Sequence, residues 1–239
     1  MQFAVEPEIF DLFPDMRLAV VVAHGVNNRE ASPQIADHWR RAWVEAGERA
    51  RPFGNAQSHP RIQPWRQRMR AAGASPKEFP SSIEAMVRRA LKGGSPFSIN
   101  PLVDFYNTVS LRHTVPAGGF DLDQIRAPLQ LRRTRAGDSF LSMDGDDPLA
   151  VPPGEVAYAS GETILTRHFV WRQARAGLIS AETQSVFLVS EVLGEVGPGV
   201  AAAVRDELAE GLRAHFGVEP LGAVLDRDRH EIGWRHSDR

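Results

Sequence analysis

Two stretches of this chain concentrate side chains able to bind or cleave a polar substrate. In the first, residues 99–123, polar groups are interleaved with apolar ones at helical steps. Val103, Asn107 and Ser110 share one face, and Asp104, Thr108 and Leu111 another. A helix here carries an amide and a hydroxyl together. His113, a Gly118-Gly119 turn and the acidic Asp121 follow. Such groups orient a carbonyl or a water. The same residues also fit structural work. Asp104 could be a helix N-cap, Asn107 and Ser110 could satisfy buried backbone groups, and Asp121 could cap a turn. On pattern alone the structural role is the better account.

The second stretch is 161–173. Along a strand, Thr166, His168, Val170 and Arg172 face one way, and Arg167, Phe169, Trp171 and Gln173 the other. His168 and Arg172 suit a phosphate or carboxylate, Trp171 a stacked base, and Glu162 an amino group. A half-buried strand with Phe169 and Trp171 in the core explains the alternation equally well, with Glu162 merely closing a turn.

Familiar chemistry is absent from the rest of the sequence. There is no phosphate-binding Gly-Lys-Ser/Thr loop, no dinucleotide fingerprint and no Gly-x-Ser-x-Gly elbow. With no cysteine, disulfides, thiolate zinc sites and a Cys nucleophile are excluded. The eight histidines never fall at metalloprotease spacing, and His230 and His236 sit in a charged tail. Neither a metal nor any other cofactor is expected.

The elements that would hold these groups read as follows. Strands are expected at 2–5 and 17–24, the second a continuous apolar run suited to burial on both faces. Helices are expected at 33–51, after a Ser32 cap and Pro33, and from the Ser81-Ser82-Ile83-Glu84 capping box to Leu91. Ile62, Trp65 and Met69 suit a short helix. Beyond residue 101 the chain reads as mostly extended, with strands at 130–132, 155–158, 165–171 and 186–190. Turns are expected at 116–119, 145–146, 152–154 and 161. A last helix spans about 200–216, and the charged tail 226–239 is expected to be mobile. The fold class is α+β, a single domain over 1–239, mainly β in its centre with flanking helices.

Composition narrows the partners. The 239 residues are 42% hydrophobic and 24% charged, with a net charge of -2. A dedicated nucleic-acid binder is often basic throughout, so any RNA contact must come from local clusters. Three exist: 61–70 with Arg66 and Arg68, 126–135 with Arg132 and Arg133, and 167–175 with Arg172. None of Arg66, Arg68, Arg132 and Arg133 has an acidic residue within one helical turn that is an evident partner. The N-terminus lacks a signal-peptide pattern, and the longest apolar run, residues 18–23, is too short to span a bilayer. A cytoplasmic protein is expected, with neither membrane nor DNA as partner.

The segment 102–121 resembles the B3/B4 editing domain of the phenylalanyl-tRNA synthetase β subunit. Val103-Asp104, Asn107, Pro116 and Phe120-Asp121 match position for position. Residues 129–147, with Gly137-Asp138 and 141–145, and residues 183–191 continue the likeness, which is specific over 99–195. The chain also resembles, over nearly its full length, small standalone proteins built from this domain. The family has a histidine where Gly118 stands, so that role does not transfer. Glu191 matches the family's pocket glutamate after a shift of about two residues. His113 belongs to this chain alone and is the one imidazole nearby.

The resemblance implies trans-editing: hydrolysis of the ester joining a wrong amino acid to the 3′ end of a mischarged tRNA. Asn107 and Glu191 by resemblance, and Ser110, Gly118 and Gly119 by residue type, are the candidate catalytic set, with backbone N–H groups at the glycines serving an oxyanion. Asp104, His113, Asp121, Glu162 and His168 would bind the amino acid. Arg66, Arg68, Arg132, Arg133 and Arg172 would bind tRNA. Standalone proteins of this type include deacylases of canavanyl-tRNA(Arg), so the resemblance implies that as the candidate substrate; the selectivity problem fits, since canavanine and arginine are near-isosteres that binding alone discriminates poorly. Two other readings stay open: a non-catalytic tRNA- or synthetase-binding module, and a small-molecule amino-acid ester hydrolase or binder that uses no RNA.

Overall fold

The computed structural model describes residues 1–30 and 32–235. His236, of the expected tail, lies outside the described residues. The chain opens with β1 (Gln2–Val5), α1 (Pro7–Leu12) and β2 (Arg17–His24). A helical block follows: α2 (Pro33–Ala50), α3 (Gln63–Ala71), α4 (Ser82–Leu91) and α5 (Pro101–His113). Strands come next: β3 (Ala117–Asp121), β4 (Leu129–Arg133), β5 (Ser139–Phe140), β6 (Leu149–Ala150), β7 (Val156–Ser160), β8 (Thr163–Ile164), β9 (Thr166–Arg167), β10 (Arg172–Gln173) and β11 (Ser185–Val192). The final elements are α6 (Val200–Phe216), β12 (Leu221–Leu225) and β13 (Glu231–Gly233). The fold is α+β.

The helix starts follow local chemistry. Ser32 accepts the Ile35 N–H and Ser81 the Glu84 N–H, as their sequence signatures imply. The Glu84 carboxylate does not close the box; it turns to Arg66. Asn100, not Asp104, caps α5, accepting the Val103 N–H at 3.0 Å with Pro101 at the first helical position. α5 ends at Thr114, whose left-handed φ of 52° stops the helix.

Two sheets face each other. One has seven strands in the order β13-β1-β4-β7-β8-β5-β6, the other four in the order β12-β2-β11-β3. Strand alternation explains the core. Val20 and Val22 of β2 and Phe187 and Val189 of β11 point toward Phe3, Leu131 and Tyr158 of the larger sheet. The alternate residues Ala19, Val21, Val186 and Leu188 meet α5 and α6 on the outer face. β2 is thus buried on both sides, which is why its sequence is apolar throughout.

Three expectations are corrected. Residues 116–119 are not a turn: Ala117–Asp121 form β3, the edge strand of the smaller sheet, where Gly119 lies against Leu188 and Ile179. Residues 165–171 are not one strand. His168 (φ 47°) and Phe169 (φ 64°) are left-handed and reverse the chain, so that β10 pairs back on β9. The Glu155 carboxylate holds this reversal by accepting from Arg167 Nε and the His168 N–H. Finally, residues 226–235 are not a loose tail. Glu231–Gly233 pair with β1, and Trp234 is buried against Phe187.

Candidate active site

An open-sided cavity of about 180 Å³ lies beside β3. Its wall comes from α5 through Asn107, β3 through Gly118 and Gly119, β7 through Tyr158, β11 through Glu191, and the reversal after β9 through Trp171, Arg172 and Gln173. The two stretches that drew attention in the sequence therefore meet at one place.

Glu191 sits where β11 turns an otherwise apolar face toward the larger sheet. It is 3% exposed. The Tyr158 hydroxyl donates to its Oε1. Burial pushes the Glu191 carboxyl up to about 7, and the Tyr158 hydrogen bond offsets only part of that. Burial, and then the neighbouring carboxyl, push the Tyr158 phenol well above its ordinary range, so it stays a donor. A carboxyl that titrates near neutrality, lines a cavity and has a neutral partner is suited to move a proton.

The two glycines differ. Gly118 pairs with Val189, so its Cα faces the cavity side of β3, the side of Glu191. A Cβ there would meet nothing within 4 Å. Gly119 faces the helices, and its Cβ would lie 2.7 Å from Leu188 Cδ2 and 2.8 Å from Ile179 Cδ1. Only glycine packs there. Beyond β11, the Asp121 N–H reaches outward to the Gly177 carbonyl at 2.9 Å. Strand alternation puts the Gly119 N–H on that same outer edge, at the cavity. It is a donor suited to a developing oxyanion.

Other expected site residues lie elsewhere. Ser110 is fully buried and donates to the Val115 carbonyl, closing the end of α5. Asp104 accepts from the Ser98 hydroxyl and the Ile99 N–H, pinning the chain before α5. His113 bonds Glu207 on α6 at 2.7 Å. Asp121 is occupied by Thr183, Gln124 and the Asp123 N–H. Glu162 is exposed at the turn between β7 and β8. His168 stacks on Phe79 and lines a separate groove with Glu155 and Arg133; burial lowers its pKa.

The arginines divide in the same way. Arg66 pairs with buried Glu84 at 2.6 Å, and Arg68 with Glu195 at 2.7 Å. Arg132 is 1% exposed and grips Asp138 with two hydrogen bonds of 2.7 and 2.9 Å. Arg133 donates to the Gly154 carbonyl. Their acidic partners are distant in sequence or lie across a turn, beyond the one-helical-turn window. Arg172, bound to Asp144 at 2.7 Å, is the one of the five that lines the cavity.

Sequence reasoning passed over Tyr158 and gave Gln173 no role. A signal for the first was present: a tyrosine inside an apolar strand needs a partner for its hydroxyl. Among the described residues no three His, Cys, Asp or Glu side chains gather to hold a metal ion.

The family model for the B3/4 domain matches residues 64–197, more than half of the chain. The chain belongs to the B3/4 domain family. The match spans α3 to β11, and so includes the whole cavity wall. Among solved structures, the chain is similar to an N-terminal fragment of the phenylalanyl-tRNA synthetase beta-subunit from Pyrococcus horikoshii. The two share 9% identity with a TM-score of 0.48; the likeness covers 94% of this chain and 54% of the fragment, about half its length. At that score it carries no weight in the assignment. No curated protein matches.

Proposed function

We propose that this B3/4 chain hydrolyses the ester bond of a mischarged aminoacyl-tRNA. The observation that carries the reading is Glu191: a buried carboxyl with a pKa near 7, in one cavity with Asn107 and the outward Gly119 N–H. An aminoacyl ester is already activated, so positioning and proton transfer suffice. Deprotonated Glu191 takes a proton from a water as its oxygen attacks the ester carbonyl. The Gly119 N–H and the Asn107 amide stabilise the oxyanion. Collapse expels the ribose oxygen, which takes the proton from Glu191. Arg172, beside Trp171 at 6.0 Å, is placed to meet the terminal nucleotide. The candidate amino acid is canavanine on tRNA(Arg), and such a role would be exercised in the cytoplasm.

A second reading is an amino-acid ester hydrolase that uses no RNA. It is favoured by the arginines: Arg66 and Arg132 are spent in buried ion pairs, and Arg68 and Arg133 are not at the cavity. No helix among the described residues is long and apolar enough to cross a membrane.

A deacylation panel of mischarged tRNAs, including canavanyl-tRNA(Arg), tests both readings against the matching amino-acid methyl esters. Hydrolysis of one aminoacyl-tRNA far faster than its methyl ester, and its loss in Glu191→Gln, is the expected result. Equal rates on both substrate types would favour the second reading. No turnover of either would end both.

A further inference from the structure

We propose that Gln173 is a substrate-binding residue whose carbonyl oxygen receives the α-ammonium group of the amino acid. This rests on the reading of the cavity as an aminoacyl-ester site. The Gln173 Nε2 donates to two backbone carbonyls, Gly119 at 3.0 Å and Gly177 at 3.3 Å. A carboxamide nitrogen has two hydrogens, and both are used. The two carbonyls therefore fix which end of the amide is nitrogen. They leave Oε1 as an acceptor with no hydrogen-bond partner among the described residues, on a side chain that lines the cavity.

The placement matters because of what stands beside it. Gln173 is tied to the carbonyl of Gly119, the residue whose N–H points out from the same strand edge. The site thus offers a donor and an acceptor side by side. An amino-acid ester offers the complement: a carbonyl oxygen that accepts, and an ammonium three bonds away that donates. A carboxylate at 173 would bind a cation more strongly but would repel the Gly119 and Gly177 carbonyls. The neutral amide serves both sides. The sequence also sets the geometry, since Gln173 sits on the two-residue strand that the left-handed His168-Phe169 reversal delivers to β3.

The test compares free and Nα-acetylated forms, because acetylation removes the ammonium and leaves the ester intact. With the aminoacyl-tRNA that the wild type cleaves fastest, the free-amine form should be preferred over its Nα-acetyl form. Gln173→Leu should lower kcat/KM for the free amine roughly 10- to 100-fold, the worth of one hydrogen bond to a charged group. It should lower the acetylated form far less, by what the lost Gly119 and Gly177 contacts cost both forms, and so abolish the preference.

A binding arm keeps this separate from the catalytic reading. Calorimetry on the full chain uses a panel of amino-acid amides, canavanine amide included, against their Nα-acetyl counterparts. If no aminoacyl-tRNA is cleaved but the amides bind with a Gln173-dependent preference, the proposed function fails and the assignment of Gln173 stands. Equal loss on both forms in Gln173→Leu would show that Gln173 merely braces β3. No discrimination between the forms by the wild type would overturn the proposal outright.

Discussion

Two of the buried carboxyls in this molecule are put to opposite uses. In the larger sheet, Asp138 lies against Arg132, both side chains 2% exposed, with two hydrogen bonds of the fork type. At the cavity, Glu191 is as deeply buried but its side-chain partner is the neutral Tyr158 hydroxyl. Burial pushes both carboxyls up. At Asp138 the Arg132 hydrogen bonds, the Arg135 N–H and the nearby charges together outweigh it and hold the group below its ordinary value. At Glu191 burial wins, and the group rises to about 7. A guanidinium partner makes a carboxylate permanent and structural; a phenol leaves its proton negotiable.

Removing each charge should separate the two roles, and this is the largest effect expected. Glu191→Gln should cost activity about 10²- to 10⁴-fold, the range for losing a general base, while the protein stays folded. The isosteric amide still accepts from Tyr158. Asp138→Asn should leave turnover per folded molecule nearly intact. It should cost roughly 3 kcal/mol or more of stability, because Arg132 is left buried without its counter-ion. Urea midpoints and single-turnover deacylation, measured on both variants, check the pair. A Glu191→Gln protein that unfolds but retains its rate would erase the distinction.

The pH dependences should run in opposite directions. The Glu191 pKa is raised in the folded state from the ordinary glutamate value of 4.5 to about 7. Its contribution to stability is therefore fully present below about 4.5 and lost as pH rises through about 7, on the order of 3 kcal/mol in all. The Asp138 pKa is lowered, so its contribution is present above the ordinary carboxylate range and lost as pH falls. Thermal melts from pH 4 to pH 9 should show the wild type losing stability between about pH 4.5 and pH 7 and levelling off above, and Glu191→Gln showing a flatter profile there. Activity runs the other way: kcat/KM should rise with pH and level off above about 7, since the base must be ionised. A rate that falls over that interval would make Glu191 an acid.

How much of this was legible in the sequence depends on which interactions are local. β2 announced itself through six consecutive apolar residues, and the caps of α2 and α4 through Ser32 and Ser81, because each signal is contained within a few positions. The α+β class followed. Of the cavity lining, Asn107 and Glu191 were singled out through resemblance, and the glycines and Arg172 through residue type. What failed was pairing at a distance. Arg66 with Glu84, His113 with Glu207 and Asp121 with Thr183 are 18, 94 and 62 residues apart. From sequence alone Arg66, His113 and Asp121 read as candidate functional groups. The strand predicted at 165–171 failed for a different reason. Two consecutive non-glycine residues with positive φ are rare enough that no local rule anticipates them, and the Glu155 carboxylate that stabilises them lies twelve positions away from Arg167.

The smallest effect, and the finest test of the comparison, is Tyr158→Phe. If the proton on Glu191 is negotiable because its partner is a neutral donor, removing that donor should move the titration without removing the base. Tyr158 stabilises the ionised form of Glu191, so its loss should raise the Glu191 pKa further, above about 7. The ring is 2% exposed and packs beside Phe3, Phe120 and Phe169, contacts that phenylalanine retains, so the fold should survive. At a pH well above the new midpoint the rate should stay within roughly tenfold of wild type, whereas at neutral pH it should drop more, because fewer molecules carry the ionised base. The measurement is the pH profile of kcat/KM for the two proteins on one substrate. An upward shift of the midpoint with a nearly unchanged plateau supports the contrast with Asp138. A lowered plateau with an unmoved midpoint would mean that Tyr158 touches the reacting ester itself, and that the phenol, not the buried carboxyl, is the group the cavity was built to present.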